Sequence, residues 1–380
     1  MVKSLFNRIL PVFPLAIASN LFSVTALLIF FGVSGNSSLA ADIGIIQGVS
    51  LTIFLAFSGN SRNLILRKST DISYGQLVRF RVFFVLPFGA LVYLVCQSFP
   101  ELPESLVITL IVRRCTEWIA ELIITDKGHK KNYSFAEKYV FLQAITFSTL
   151  LLHDTVSHGT YNLFLSLWAI APILLGGKNL LQHLNIHSEE KLFPGSEYIL
   201  HLGSSWVIAT TTFVSRIMII ALTTKALGGE LFTAFAIGGM ISSIYTYVIG
   251  PSLIHKETGK TKKIFQTIFL FCSGSGIAIA LLSEPISIKL GTNILFFQAL
   301  GLSVLGGAIM MVSQRQRIIL LQIRQKNSFV PDVLTNVLIV AFIPLAFYSV
   351  GKIALSAMFF CSACLTYIFY SLPINVDQDT

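Results

Sequence analysis

Charged side chains are scarce in this sequence of 380 residues, of which only 12% are Asp, Glu, Lys or Arg. Hydrophobic residues make up 54% of the chain, and the mean hydropathy is +0.76. A soluble domain of this length needs far more polar surface, so the composition excludes a soluble enzyme and a nucleic-acid-binding domain. It indicates an all-α integral membrane protein that crosses the bilayer many times.

Motifs for catalysis and metal binding are also missing. The sequence contains no G-x-S-x-G segment, no P-loop, no acidic metal motif and no Ser-His-Asp spacing. Its five cysteines are odd in number and lack metal-ligand spacing, so we interpret them as small core residues. We therefore predict a protein that is not an enzyme and that holds no metal and no cofactor.

Long apolar segments define the predicted architecture. A membrane helix needs about 20 apolar residues, and the first apolar run is too long for a signal peptide. We predict twelve spans, at 9–33, 39–57, 77–99, 105–126, 139–153, 160–177, 198–222, 231–253, 264–283, 294–313, 333–350 and 353–371.

The distribution of Lys and Arg predicts the topology. With the N-terminus in the cytoplasm, all but six of the 27 Lys and Arg residues fall on the cytoplasmic side. Cytoplasmic loops carry an excess of these residues, so both termini are predicted to be cytoplasmic and the net charge of +9 is explained. The six exceptions are Lys225, Lys289 and Lys352 outside, and Arg113, Arg114 and Arg216 within the membrane.

A weak internal repeat predicts two lobes. The segments Leu39–Ser50 and Leu231–Ser242 lie about half the chain apart, and each follows a short outer loop and precedes a basic cytoplasmic one. Such layouts accompany six-helix bundles related by a pseudo-two-fold axis along the membrane normal. We predict an N-terminal lobe at 1–177, an amphipathic cytoplasmic linker at 178–197 and a C-terminal lobe at 198–380.

The fourth predicted span carries Arg113, Arg114, Glu117 and Glu121 in its middle. A charge at that depth costs roughly 2.5–3.5 kcal/mol on insertion scales, so lipid would reject this face. Arg113, Glu117 and Glu121 share one stripe at helical spacing. We predict that the stripe lines a water-filled cavity; the alternative is a buried structural ion pair that locks helices together.

Three further polar residues are candidates for substrate contact or ion coupling. Arg216 lies near the outer end of span seven, where it would form a second cationic wall or extend to the headgroups. Trp206 and the hydroxyl-rich residues around it are typical of a sugar path, although most hydroxyls there serve interhelical contacts. Asp42 starts span two, either as an ion-coupling group or at the membrane interface. Arginine suits phosphate because its planar fork donates two parallel hydrogen bonds.

Two segments and the overall layout resemble a known family. They are "FSGNSRNLILRKS" at 57–69 and "RRCTEWIAEL" at 113–122. The chain resembles the polysaccharide-transport branch of the multidrug/oligosaccharidyl-lipid/polysaccharide (MOP) exporter superfamily, which contains the O-antigen and capsule repeat-unit flippases. The resemblance implies two six-helix lobes, alternating access and a central cationic cavity lined by the span-four charges. The chain departs from it in its short length, its compressed spans five and six, and its single intramembrane arginine in the C-lobe.

The expected function follows from this resemblance. It is transfer of a polyprenyl-pyrophosphate-linked oligosaccharide from the cytoplasmic to the outer leaflet of a bacterial inner membrane. Expected partners are this lipid-linked oligosaccharide, membrane lipids and other polysaccharide-assembly proteins, but no nucleic acid. The predicted substrate-binding residues are Arg113, Arg114, Arg216 and Trp206, and the predicted H⁺- or Na⁺-coupling residues are Glu117, Glu121 and Asp42.

Three alternatives remain open at this point. The first is a drug or small-molecule antiporter of the same superfamily, and the second is a major-facilitator transporter, which usually has a longer central loop. The third is a membrane-embedded transferase or glycan polymerase. A polymerase is expected to have a large outer loop with arginines, whereas the predicted outer loops here are short and poor in Lys and Arg.

Overall fold

The structure is a computed structural model that describes residues 12–58, 74–156, 162–177, 196–244, 259–291, 293–320 and 329–375. These segments form fourteen helices. They are α1 (Val12–Val33), α2 (Ser37–Ala56), α3 (Tyr74–Cys96), α4 (Glu104–His129), α5 (Tyr133–Val156), α6 (Asn162–Leu174), α7 (Ser196–Leu222), α8 (Lys225–Ile244), α9 (Gly259–Leu281), α10 (Ser283–Leu290), α11 (Ile294–Ile318), α12 (Phe329–Val350), α13 (Lys352–Ser356) and α14 (Met358–Asn375). Each predicted span overlaps a helix, and α13 and α14 share the last one, so the all-α membrane fold is confirmed.

Within the described segments, eight helices are long and apolar enough to cross a membrane. They are α1, α2, α3, α7, α8, α9, α11 and α12, while α6 and α14 contain shorter apolar stretches. Helix α4 has sufficient length, but its four central charges lower its hydropathy. The chain is therefore a multi-pass membrane protein.

The contacts divide the chain into two compact units. Unit 1 comprises Met1–Val24 and Ile46–Thr210, and unit 2 comprises Thr25–Ile45 and Thr211–Thr380. The divisions fall inside α1, α2 and α7, so each of these helices contributes residues to both units. The predicted linker lies almost wholly outside the described residues, and the predicted lobe boundaries stay predictions.

Helix α4 is the centre of unit 1, where it packs against α3, α5 and α6. Glu104 lies in its first turn and Lys127 and His129 lie in its last, which places each charge where the helix dipole favours it. Trp118, in the middle of the helix, makes ring contacts with Phe54, among other aromatic residues, at a centroid distance of 5.2 Å. Apolar and aromatic packing thus surrounds the charged part of α4.

Helix α11 is the centre of unit 2, where it packs against α8, α9 and α14. Its contacts depend on glycine: a Cβ atom added at Gly301 would lie 2.4 Å from the backbone nitrogen of Ala280. One added at Gly307 would lie 2.6 Å from the carbonyl oxygen of Gly238. Small residues at these positions let helix backbones approach closely, as is common in membrane bundles.

Candidate functional site

A buried ion pair between Arg113 and Glu117 lies at the centre of α4. The Nε atom of Arg113 is 2.7 Å from Oε1 of Glu117. The other guanidinium nitrogens donate to the carbonyl of Trp168 on α6 and, at 2.8 Å, to Oε1 of Gln143 on α5. The guanidinium also lies 4.5 Å from the centroid of the Trp168 ring. All three nitrogens of Arg113 are thus engaged by the protein.

Glu117 forms a second ion pair, with Arg114, through its other oxygen. Its Oε2 atom is 3.1 Å from Nη1 of Arg114, so one carboxylate faces two guanidinium groups. The Nε atom of Arg114 is buried and has no hydrogen-bond partner within the described part of the chain. Arg114 therefore keeps a donor nitrogen without a partner in the described part of the chain, whereas each nitrogen of Arg113 has one.

Arg81 on α3 completes the cluster, and the topology prediction had placed it among the cytoplasmic residues. Its Nη1 atom is 2.9 Å from Oε2 of Glu121 and also donates to the carbonyl of Trp118. Its guanidinium lies 5.0 Å from the Trp118 ring. The pairing of Arg81 with Glu121 could have been inferred from the sequence. Arg81 lies four positions inside the predicted span 77–99, and Glu121 lies at a similar depth in the antiparallel span four.

Neutral hydrogen bonds fix the position of the charged groups. Asn20 on α1 donates to the backbone carbonyl of Glu117 at 3.0 Å, and Tyr139 on α5 donates to Asn20 at 2.6 Å. Thr116 donates to the carbonyl of Ala169 on α6 at 2.6 Å. These bonds join α4 directly to α1 and α6 at the level of Glu117, and Tyr139 on α5 holds Asn20, so the carboxylate is held in place through its backbone.

The cluster carries a surplus positive charge. Among the residues that the structure describes, three guanidinium groups face two carboxylates, which leaves one positive charge. The side chains of Glu121 and Arg114 are 17% and 7% exposed, and those of Arg81, Arg113 and Glu117 are at most 1% exposed. Glu121 is therefore the one half-buried member of the cluster, and Arg114 is buried with the other three.

This burial corrects the prediction of a continuous water-facing stripe. Arg113 and Glu117 are enclosed by protein, as the alternative of a buried structural pair requires. The physical reason is that a buried pair tolerates desolvation only when further hydrogen bonds satisfy it, and α5 and α6 supply those bonds. Arg114 is buried as well, and of the four residues only Glu121 is partly exposed.

Asp42 and Arg216, two of the other predicted site residues, lie in unit 2. Oδ1 of Asp42 is 2.8 Å from Nζ of Lys225, at the start of α8. Arg216 on α7 donates to the carbonyl of Gly44, and its guanidinium lies 5.6 Å from the ring of Phe232. Both residues thus have contacts at the first turns of α2, within unit 2. Their predicted roles in ion coupling and phosphate binding stay predictions.

Trp206 lies on the part of α7 that belongs to unit 1, and it is 55% exposed. The adjacent hydroxyl residue Ser204 is buried, and Thr52 on α2 donates to the carbonyl of Ala209 at 3.1 Å. Hydroxyl groups thus participate in interhelical contacts here, while the indole remains accessible. Its role in a sugar path stays a prediction.

Sequence reasoning missed a buried carboxylate in unit 2. Asp332, in the first turn of α12, is fully buried, and its Oδ2 atom is 3.2 Å from Nη2 of Arg317. Tyr370 on α14 donates to its other oxygen. Asp332 precedes predicted span 333–350 by one residue, and for that reason it was not treated as a membrane residue. A carboxylate immediately after Pro331, with arginines ending the preceding helix, was the available signal.

Comparison with known proteins establishes the fold. A point mutant of the Vibrio cholerae MATE transporter VcmN aligns with a TM-score of 0.56 and 14% identity, over 96% of this chain and 95% of that one. An outward-facing multidrug resistance MATE family transporter of the MOP superfamily aligns with a TM-score of 0.54 and 14% identity, over 97% and 95%. A MOP superfamily transporter from Pyrococcus furiosus aligns with a TM-score of 0.50 and 11% identity, over 97% and 95%.

These similarities define the chain as a membrane protein with the fold of MATE transporters over nearly its whole length. No protein-family model matches the sequence, and no curated protein does either. At 11–14% identity the structures show the fold alone. The function must therefore be inferred from the side chains of this chain.

Proposed function

We propose that this protein is a flippase that moves a polyprenyl-pyrophosphate-linked oligosaccharide from the cytoplasmic to the outer leaflet by alternating access. The observation that carries the proposal is the surplus guanidinium at Arg114, with its buried and unused Nε donor. The oligosaccharide and its pyrophosphate would be held by the protein while the lipid tail stays in the bilayer.

The charge of the cluster favours an anionic ligand. Arg81 is paired with Glu121, and Arg113 shares Glu117 with Arg114. An unmatched cation in a low-dielectric interior is costly, and a phosphate oxygen near Arg114 would neutralise it. The arginine fork also supplies two parallel donors, a geometry that an ammonium group cannot offer. Glycans carried on a polyprenyl pyrophosphate share this head whatever their sugars are, so one such site would serve different glycans.

Differences in charge already distinguish proteins of this fold. The Pyrococcus furiosus MOP superfamily transporter is described as having a binding pocket of reverse polarity that suggests a different function. The sign of the charge at the site is therefore an informative property within this architecture. In this chain the described cluster of α3 and α4 has a net positive sign, which supports an anionic rather than a cationic substrate.

A cation antiporter is the second candidate, and Glu121 is the observation that favours it. This carboxylate is the most exposed member of the cluster, and it faces a single arginine at 2.9 Å. A cationic drug or a proton could compete with Arg81 for it. In the flippase the same carboxylate is the best-placed residue of α4 for ion coupling, because it can exchange with solvent while Glu117 is enclosed.

Rescue of a flippase-null bacterial strain that makes one defined repeat unit would test the proposal. The wild-type chain is expected to restore surface glycan, and Arg114→Gln is expected to abolish the rescue at an equal membrane level. Arg114→Lys is expected to restore it only in part, because it retains charge without the fork.

Arg315→Gln is the matched control, since it removes a guanidinium that lies 5.8 Å from the ring of Phe265 on a helix of unit 2. It is expected to rescue like the wild type. Rescue by Arg114→Gln at the wild-type level would remove the anion site from the proposal. Export of cationic drugs by a wild-type chain that fails to rescue would favour the antiporter.

A further inference from the structure

A cavity lies within unit 2, between α9, α11, α12, α13 and α14. Its volume is about 630 Å³, within the range of about 300–1,000 Å³ that small-molecule sites occupy. The residues that line it include Ala280 on α9, Gln298 and Leu302 on α11, Phe342 on α12, Ile353 on α13 and Cys361 on α14. The cavity shares no residue with the charged cluster of α3 and α4, which is built from unit 1.

The cavity opens on an apolar surface. Leu345, Val350 and Ile353 line it, and each of them is at least 60% exposed. Along α12 from Leu334 to Leu345, every exposed residue is apolar. Such a face of a membrane helix is in contact with lipid, because polar side chains at this depth turn towards protein or water. A ligand therefore enters the cavity from the bilayer.

The polar groups of the cavity are gathered at one end. Gln298 lies in the second turn of α11, and Ser349 and Ser356 lie on either side of the connection between α12 and α13. Leu302 lies one turn deeper along α11, and Phe342 lies two turns before the end of α12. The predicted topology places the polar end outside. The cavity thus has the polarity of an outer-leaflet lipid, whose head points outward and whose chains point inward.

The amide of Gln298 determines which head group fits. Its Oε1 atom is buried, and it has no hydrogen-bond partner among the residues that the structure describes. A buried acceptor of this kind is costly unless a ligand or water satisfies it. The hydroxyls of Ser349 and Ser356 donate to the carbonyls of Leu345 and Ile353, at 2.7 Å each, so they offer a ligand only acceptors. The ligand must bring a donor, and a hydroxyl group suits an amide because it both donates and accepts.

The lining does not suit an ionic head. No described residue that lines the cavity is charged, and Lys352, which precedes Ile353 in the chain, is exposed and is not part of the lining. A phosphate in contact with such a lining would lose its hydration without gaining a paired cation. A neutral head group avoids this cost.

We propose that the cavity binds an outer-leaflet lipid with a neutral, hydroxyl-bearing head, as a diacylglycerol has. The hydroxyl group donates to Oε1 of Gln298, and one hydrocarbon chain lies along Leu302 and Phe342. The site does not depend on the transported substrate, because it uses none of the charged residues to which substrate contact is assigned.

Photolabelling of the full-length protein tests the site. The protein is placed in phosphatidylcholine nanodiscs, and the probe is a diacylglycerol with a diazirine in one chain. Mass spectrometry is expected to find the labels on the cavity-lining segments of α11 and α12. Unlabelled diolein is expected to compete with the probe. Its methyl ether, which lacks the donor, is expected to need about a tenfold higher concentration, because one buried hydrogen bond is lost.

Gln298→Leu removes the amide and keeps a side chain of similar size. Competition by diolein is expected to weaken about tenfold, and the difference between diolein and its methyl ether should disappear. A general loss of packing would weaken both competitors and leave their ratio unchanged. Gln314→Leu is the matched control on the same helix, since the Gln314 amide contacts Met310 and does not line the cavity. It is expected to behave like the wild type.

Filling the cavity provides a second arm. Ala346→Leu adds volume at a buried lining residue and should abolish the labels in the cavity, whereas Ala341→Leu on the exposed face of α12 should not. Labels spread evenly over the lipid-facing helices of the wild type would overturn the site. Equal competition by diolein and its methyl ether, or stronger competition by dioleoylphosphatidylglycerol, would overturn the neutral hydroxyl-bearing ligand.

Discussion

The central helices of the two units are built differently. Helix α4 of unit 1 carries two arginines and two glutamates in its middle, and it contacts its neighbours through ion pairs and hydrogen bonds. Helix α11 of unit 2 has no charged residue before its last turns, and it contacts its neighbours through glycine. Both helices are the packing centres of their units, so a membrane bundle of this fold does not need charges to hold together.

The difference indicates where function lies. Close backbone contact joins α11 to three helices without the desolvation cost that buried charges carry. Helix α4 makes its contacts with buried charges, which cost more to desolvate, and it also carries a second guanidinium, Arg114, on the carboxylate of Glu117. Intramembrane charges that exceed what packing requires are a functional signal. The proposed function accordingly puts the substrate contact on α4, and α11 serves mainly in packing.

Among the substitutions that test this difference between α4 and α11, Glu117→Gln is expected to lower the stability of the protein most. The substitution preserves the shape of the side chain but leaves Arg113 and Arg114 without their carboxylate. Loss of one buried partner costs about 3–5 kcal/mol, so the melting temperature of the purified protein should fall strongly. Glu137→Gln on the exposed face of α5 is the control, and equal melting temperatures of the two variants would contradict the structural role of Glu117.

A second substitution sharpens that result. Arg114→Gln added to Glu117→Gln removes one guanidinium as well as the carboxylate, so the net charge of the described cluster returns from two positive charges to one. The double variant is expected to recover part of the lost stability, because contacting charges are not additive. A double variant less stable than Glu117→Gln alone would show that Arg114 is held by groups other than Glu117.

A smaller effect is expected from Gly301→Ala on α11. The added methyl group would lie 2.4 Å from the backbone of α9, so the two helices must move apart. Overpacking of this kind costs about 1–3 kcal/mol, less than the loss of Glu117. Gly274→Ala on α9 is the control, since an added Cβ atom there meets nothing within 4 Å, and a thermal shift as large as that of Gly301→Ala would argue against glycine packing.

The smallest effect is expected from Trp118→Phe. It removes the 2.9 Å hydrogen bond from the indole to the hydroxyl of Ser58 and retains an aromatic ring beside Phe54 and Phe88. One neutral hydrogen bond contributes about 0.5–1.5 kcal/mol, so the melting temperature should fall only slightly. A decrease as large as that of Glu117→Gln would mean that the aromatic contacts, rather than the ions, hold α4.

The spans and the charged face of α4 were predictable from the sequence, because hydropathy reports the depth of a residue in the membrane. The helices that contact this face were not predictable, because the depth of a residue in the membrane does not show which helix lies opposite it. Arg81 and Asp332 were missed for a related reason: each lies near the end of a predicted span, where a charge is usually solvated. The ion pair between Asp42 and Lys225 joins residues from opposite halves of the sequence, so no local sequence pattern predicts it.

The most direct test of the central claim is ligand-induced thermal stabilisation of the purified protein. The probes are a short-chain polyprenyl pyrophosphate, the matching neutral polyprenol and the lipophilic cation tetraphenylphosphonium, each with the wild type and with Arg114→Gln. We predict that only the pyrophosphate raises the melting temperature of the wild type, and that Arg114→Gln loses this increase. Stabilisation of the wild type by tetraphenylphosphonium and not by the pyrophosphate would contradict the proposed anion-binding site on α4.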